Sequence, residues 1–189
     1  MSRDQKASEH GLNGELGIVV ADRRTLDELF SVTYEELRRL AASVRRDDPR
    51  ASLSPTALVN EAWLKLASAP PFVLTSRLHF KRIAARAMRQ VLIEAARRRN
   101  AHKRGQGAVV VTFDDALEPG ASGADELLAL DSALEALARL NPRQATMVES
   151  RFFGGLDVAE TAELLGVSEA TVLRDWRAAK AWLAKEMRP

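Results

Sequence analysis

The sequence has no cysteine among its 189 residues, which excludes disulfides, thiolate zinc sites and cysteine nucleophiles together. No apolar run approaches the ~18 residues of a membrane span, so no membrane insertion is expected. The opening stretch MSRDQKASEHGLNGE has mixed charge and no apolar segment of signal-peptide length, which makes the cytoplasm the default address. Histidine is rare too. His10, His79 and His102 share no metal-ligand spacing and read as surface or helix residues. A glycine-rich phosphate loop, an HExxH helix and a paired-carboxylate site are all missing. The expectation is a chain with no enzyme active site, no metal and no cofactor.

Charge is present in quantity and unevenly placed. Lys and Arg number 28 against 26 Asp and Glu, a net of +2. The segments differ sharply: −1 over 1–76, +9 over 77–107, −6 over 108–150 and 0 over 151–189. One basic block, with Glu94 as its single carboxylate, is hidden inside a nearly neutral chain. With 46% apolar residues and this length, one domain or two small ones are expected.

The pattern predicts an all-α protein of two small helical domains joined by a flexible linker. Residues 1–21 read as an N-terminal tail, 22–104 as a first domain, 105–124 as the linker and 125–189 as a second domain. A first helix is expected from a capping box at Thr25 and Glu28, with Leu26, Leu29, Phe30, Leu37, Leu40, Ala41 and Val44 facing inward and Pro49 ending it. Ser54-Pro55 starts a second helix over Thr56–Leu66, stopped by Pro70-Pro71. A third spans about Ser76 to Asn100. At about 100° per residue, Phe80, Ile83, Ala84, Ala87, Val91 and Ala95 share one face, and Arg82, Arg86, Arg89 and Arg97 lie within about 80° of one another on the opposite face. The β-prone Val109–Phe113, Asp114-Asp115 and a Pro-Gly-rich stretch make up the linker. Helices resume at Asp125 and again at Asn141-Pro142.

The most specific local pattern is DVAETAELLGVSEATVLRDWRAAK, residues 157–180. Asp157 and Glu160 cap a first helix, Gly166 supplies the turn, and Ser168 caps a second helix, a helix-turn-helix layout. In the second helix Val172, Trp176, Ala179 and Leu183 fall within about 60°, while Arg174 and Arg177 point away, flanked by Ala170 and Thr171. A helix that reads the DNA major groove needs one anchored face and one free face, and arginine pairs bidentately with guanine or holds a phosphate.

At these residues the chain resembles the bacterial extracytoplasmic-function (ECF) sigma factors of RNA polymerase, in a divergent branch. The C-terminal part resembles region 4, in which the recognition helix follows a Leu-Gly-Ile/Val-Ser turn and reads the −35 element. Residues 56–66, TALVNEAWLKL, look like the region 2 helix that docks on the polymerase β′ subunit; His79–Ala84 and Ile93–Arg99 look like the helix that handles the −10 element. The resemblance covers about residues 22–186. It implies a subunit that binds core RNA polymerase through β′ and β, recognises −35 and −10 promoter DNA and assists melting, without catalysis of its own. An anti-sigma factor is a further candidate partner. The alternative is a stand-alone helix-turn-helix regulator.

The resemblance implies roles for particular residues. Ser168, Ala170, Thr171, Arg174, Arg177 and Lys180 are candidates for −35 contact. Arg82, Arg86, Arg89 and Arg97 are candidates for −10 DNA, with phosphate neutralisation as their physical role. Phe72, the aromatic within the loop Ala67–Ser76, is a candidate base contact in melting or an anchor of that loop. Asn60, Glu61, Trp63 and Lys65 are candidates for polymerase docking; Asn60, Glu61 and Lys65 point outward, while Trp63, Leu64 and Leu66 are core at least in part. Asp114 and Asp115 are either solvated or act as nucleic-acid mimics in the connector. Two departures stand out: Leu173 lacks a cation usual in the family, and Asp175 replaces an arginine, so the −35 sequence cannot be transferred from relatives and phosphate contact is expected to weaken.

Overall fold

The computed structural model describes residues 19–20, 22–44, 53–70, 72–102 and 123–187. Pro49, Val109–Phe113, Asp114, Asp115 and nearly all of the expected linker lie outside them. Seven helices run through the described residues: α1 (Arg23–Val44), α2 (Pro55–Ala67), α3 (Arg77–His102), α4 (Ala124–Leu140), α5 (Pro142–Phe152), α6 (Val158–Leu165) and α7 (Glu169–Glu186). The all-α expectation holds apart from one small ladder. Within the segment read as tail, β1 (Val19–Val20) pairs antiparallel with β2 (Val73–Leu74), in the register Val19 to Leu74 and Val20 to Val73.

Local chemistry accounts for where the helices begin. α1 starts two residues before the expected Thr25 cap, because the Asp22 carboxylate accepts from the Thr25 N–H at 2.8 Å. That bond holds the Asp22 carboxyl below its usual range. Ser54 accepts from the Ala57 N–H at 3.0 Å, with Pro55 in the first turn where its missing N–H costs nothing. Ser76 and Asn141 cap α3 and α5 in the same way, accepting from the His79 and Gln144 N–H groups at 3.0 and 3.1 Å.

Leu26, Leu29, Leu37 and Ala41 of α1 meet Leu58, Val59, Ala62 and Leu66 of α2 and Phe80, Ala84 and Met88 of α3 in the core. Between α1 and α2, Phe30 stacks on Trp63 with ring centroids 4.8 Å apart, and Tyr34 meets Phe30 edge-on. The same core continues without a break into Leu130, Ala133, Leu134, Met147, Val148, Val172 and Leu183 of the second half.

This continuity changes the reading of α3. Besides the expected apolar face, Ala85, Met88, Leu92, Ile93 and Ala96 are buried. The apolar arc of α3 is wider than its polarity pattern suggests because α1 and α2 cover one side while α4 and α5 cover another. Alanine at 85 and 96 leaves room for neighbouring helices to approach closely, and Ile93 and Ala96 form a small apolar contact with Leu127 of α4.

The second half reaches α3 closely at the end of α5. A Cβ built on Gly154 would lie 2.4 Å from the Ser150 carbonyl oxygen and 3.1 Å from the Ala85 Cβ. The first of these is backbone, which cannot swing aside. Gly154→Ala is therefore expected to lower stability by about 1–3 kcal/mol, the usual range for overpacking, read from urea unfolding of the full chain; an unchanged midpoint would mean that the backbone at the end of α5 yields to the added methyl.

Candidate nucleic-acid interface

The helix-turn-helix is built from short-range bonds. Asp157 accepts from the Glu160 N–H at 2.8 Å and Glu160 accepts from the Asp157 N–H at 3.0 Å, the reciprocal capping box at the start of α6. Gly166 ends α6 in the left-handed conformation, φ 63° and ψ 37°, which a residue with a Cβ adopts at a cost. Ser168 then caps α7, accepting from the Thr171 N–H at 3.3 Å while the two hydroxyls share a 3.0 Å hydrogen bond.

α7 is anchored by Val172, Asp175, Ala179 and Leu183, at spacings of three and four. Its outer surface carries Ser168, Ala170, Leu173, Arg174 and Arg177, all exposed, with Thr171 and Lys180 half-buried beside them. The Arg174 side chain is 72% exposed, and its nearest carboxylate contact, Asp175, is at the 4.0 Å limit. Two guanidinium groups and two apolar side chains, Ala170 and Leu173, thus share one exposed surface.

Asp175 is on the other side. It is 8% exposed, and its carboxylate accepts from Arg143 Nη2 of α5 at 2.7 Å. The acidic residue that takes the place of a family arginine ties α7 to α5 through one oxygen, while its other oxygen lies 4.0 Å from Arg174. Trp176, expected in the anchored face, is half-buried with the Arg151 guanidinium 4.4 Å above its ring. Burial draws the Arg151 pKa down, against the opposing field of Asp157.

On α3 the four arginines divide. Arg82 and Arg86 are exposed. Arg89 is only 14% exposed: its guanidinium donates to Asp131 Oδ1 of α4 from Nε at 2.9 Å and from Nη2 to the Asp131 backbone carbonyl at 3.1 Å, with Glu149 Oε2 at 3.6 Å. Arg97 is outward but still 3.5 Å from Asp131 Oδ2. All four line one cleft of about 460 Å3 whose far wall is α4 and α5. Burial raises the Glu149 pKa there, and burial with the field of Arg82 lowers that of His79. Lys81 was not singled out by the sequence pattern; its ammonium is held between Glu160 of α6 at 2.7 Å and Glu36 of α1 at 3.3 Å.

The α2 candidates also separate. Asn60 and Glu61 are exposed; Trp63 is committed to Phe30, and Lys65 bonds Glu94 of α3 at 2.7 Å. Of the three α2 residues left between core and interface, Leu64 is 55% exposed and joins Asn60 and Glu61. Its position was recoverable from helix geometry, since it lies roughly 190° from the centre of the arc formed by Leu58, Val59, Ala62 and Leu66. Leu66 is buried as expected, and Phe72 is half-buried against the core.

Among the described residues, no group of three or more His, Asp or Glu side chains is arranged to hold a metal ion, and no helix is long and apolar enough to cross a membrane. No curated protein and no solved structure matches the chain. A family described as ECF sigma factor matches residues 18–189, from β1 through both helical halves to the end of the sequence. With the capped helix-turn-helix and its exposed arginine face in place, the chain belongs to the ECF sigma factor family, whose role is in transcription initiation.

Proposed function

We propose that this protein binds core RNA polymerase, directs it to promoters with −35 and −10 elements, and assists strand opening at the −10 element. The observation that carries the proposal is the exposed Arg174 and Arg177 face on a helix anchored from behind by Asp175, in a chain matched by the family over both halves. Arg174 and Arg177 are suited to guanine edges or phosphates, and Ala170 and Leu173 to thymine methyl groups. Ser168, Thr171 and Lys180 flank this face and would serve phosphates. Asp175, held inward by Arg143, still lies 4.0 Å from Arg174, so its charge is expected to weaken phosphate contact at Arg174.

In the first half, Asn60, Glu61 and Leu64 form the polymerase-facing strip of α2, with Leu64 as its apolar anchor. Trp63 and Lys65 support that strip through Phe30 and Glu94 instead of lying on it. Arg82 and Arg86 are the cations available to −10 DNA. Phe72 fits the role of loop anchor, given its packing against the core. The experiment that tests the whole reading is a pull-down with core polymerase followed by run-off transcription on a genomic library. A protein that holds duplex DNA alone and ignores core polymerase would be a stand-alone regulator.

Three narrower outcomes are expected. Arg174→Ala and Arg177→Ala should each weaken −35-dependent initiation by about 1–3 kcal/mol, roughly five- to 150-fold, with core binding retained; loss of core binding first would remove α7 from the DNA side. Leu64→Asp should lower core affinity at least about tenfold with the far-ultraviolet circular dichroism unchanged, since the side chain lies outside the core; unaltered affinity would exclude this strip from docking. Charge reversal of Arg82 and Arg86 should abolish permanganate reactivity of unpaired thymines near the start site, and normal reactivity would return both arginines to solvent.

A further inference from the structure

Two arginines stand outward on α7, and their surroundings differ. Arg174 has a carboxylate beside it, with Asp175 Oδ1 4.0 Å from its Nε, whereas Arg177 has no carboxylate within ion-pair distance among the described residues. We propose that Asp175 determines specificity by positioning Arg174: it takes up one edge of that guanidinium and leaves the fork of the two terminal nitrogens for a guanine edge in the major groove. The proposal rests on the reading of −35 DNA by α7. It divides the work of the two arginines, Arg174 to a base and Arg177 to a phosphate.

Asp175 is fixed before any DNA arrives. Its Oδ2 accepts from Arg143 Nη2 at 2.7 Å, and the residue is 8% exposed. Arg143 is the second residue of α5, whose first turn is itself capped by Asn141. One position further along α7, Trp176 lies under the guanidinium of Arg151, near the other end of α5, 4.4 Å from its ring centroid. Consecutive residues stand about 100° apart around a helix, so these two contacts hold α7 from two directions and set its rotation about its own axis. That rotation decides where Arg174 points. Arg174 belongs to the second turn of α7, in the N-terminal part of the helix that meets base edges in this kind of docking.

A carboxylate beside a guanidinium changes what the guanidinium recognises. Arginine carries its N–H donors in a rigid planar fork. With Nε turned to Asp175, the edge made by Nη1 and Nη2 remains, and it fits O6 and N7 of one guanine. Attraction to a phosphate depends on net charge, which the adjacent carboxylate largely cancels. Hydrogen bonds to a neutral base depend on direction, which the carboxylate supplies. Restricting a long side chain before binding also removes part of the entropy cost of ordering it on the DNA. The oxygen that faces Arg174 is the one Arg143 leaves free, so one carboxylate serves both arginines. Closing the 4.0 Å gap to a hydrogen bond requires only that Arg174 turn, and its side chain is 72% exposed.

The test uses the full chain assembled with core polymerase, on a promoter recovered by run-off transcription whose −35 element is varied one base pair at a time. In the parent, one G·C pair is expected to be preferred at least about fivefold over its alternatives. Asp175→Asn should flatten that preference to less than about twofold and steepen the salt dependence of initiation, because Arg174 becomes available to phosphate. Arg174→Ala should flatten the same base pair, and adding Asp175→Asn to it should change the preference no further. Arg177→Ala should lower initiation from every sequence alike; relaxation at a single base pair instead would overturn the division between the two arginines. Asp175→Asn that alters initiation from all sequences equally would reduce Asp175 to a tie between α7 and α5. A change of preference that persists in the Arg174→Ala background would also overturn the proposal, since Asp175 would then act through another residue. Where Asp175→Asn loses helical structure by circular dichroism, Arg143→Gln with Asp175→Asn decides, because it removes both charges and leaves neither without its partner. A parent that supports no initiation but selects duplexes from a random pool loses the sigma-factor reading, and the same base-pair comparison on those duplexes then decides for Asp175. A parent that selects no duplex either overturns both.

Discussion

Alanine at positions 84, 85, 87, 95 and 96 lets other helices pack against α3 from more than one side, and the rest of the structure depends on that double burial. An α-helix surface lined with small residues admits neighbours at short interaxial distance, where many weak dispersion contacts add up. One side of α3 completes the core with α1 and α2 through Phe80 and Met88. Its other side receives α4 and the end of α5, so that two sets of helices share one continuous core. The placement of the helix-turn-helix follows, since Lys81 near the start of α3 binds Glu160, the residue that also completes the cap of α6.

Charge in this chain therefore has three distinct uses. Some charges are structural: Asp175 with Arg143 fixes the back of α7, and Lys65 with Glu94 joins α2 to α3. Others remain outward, as Arg174, Arg177, Arg82 and Arg86 do. A third set, Arg89 and Arg97 with Asp131 and Glu149, bridges the halves of the molecule. Such bridges carry a desolvation cost that offsets much of their attraction. They set which surfaces meet more than how tightly they hold.

Much of the fold was legible before any coordinates. Helices α2 to α7 begin within about two residues of their sequence signals because caps such as Ser54, Asn141, Asp157 and Ser168 act on backbone groups three residues away. Gly166 was equally legible, for the left-handed turn is a local requirement. The start of α1 was misread because Asp22 and Thr25 are both competent caps and the choice between them is decided by geometry. Val19–Val20 pairs with a strand more than 50 residues away, and nothing local announces that register.

For the candidate site the division is the same. The helix-turn-helix, the free face of α7 and the basic character of α3 come from residue type and helical spacing alone, because both are properties of a few consecutive turns. The exposure of Leu64 belongs with them, since the angular position of one residue on its helix already implied it. Which arginines of α3 stay free, and that Asp175 turns inward to Arg143, could be decided only by packing. A side chain's partner across the chain depends on how helices are set against one another, and Asp131 lies 42 positions from Arg89. Residue order determined that this chain would carry a cationic helix face and a helix-turn-helix with an outward arginine face; tertiary structure decided that the first is partly covered by the half of the molecule that contains the second, because opposite charges and apolar side chains on both surfaces come within contact only after folding.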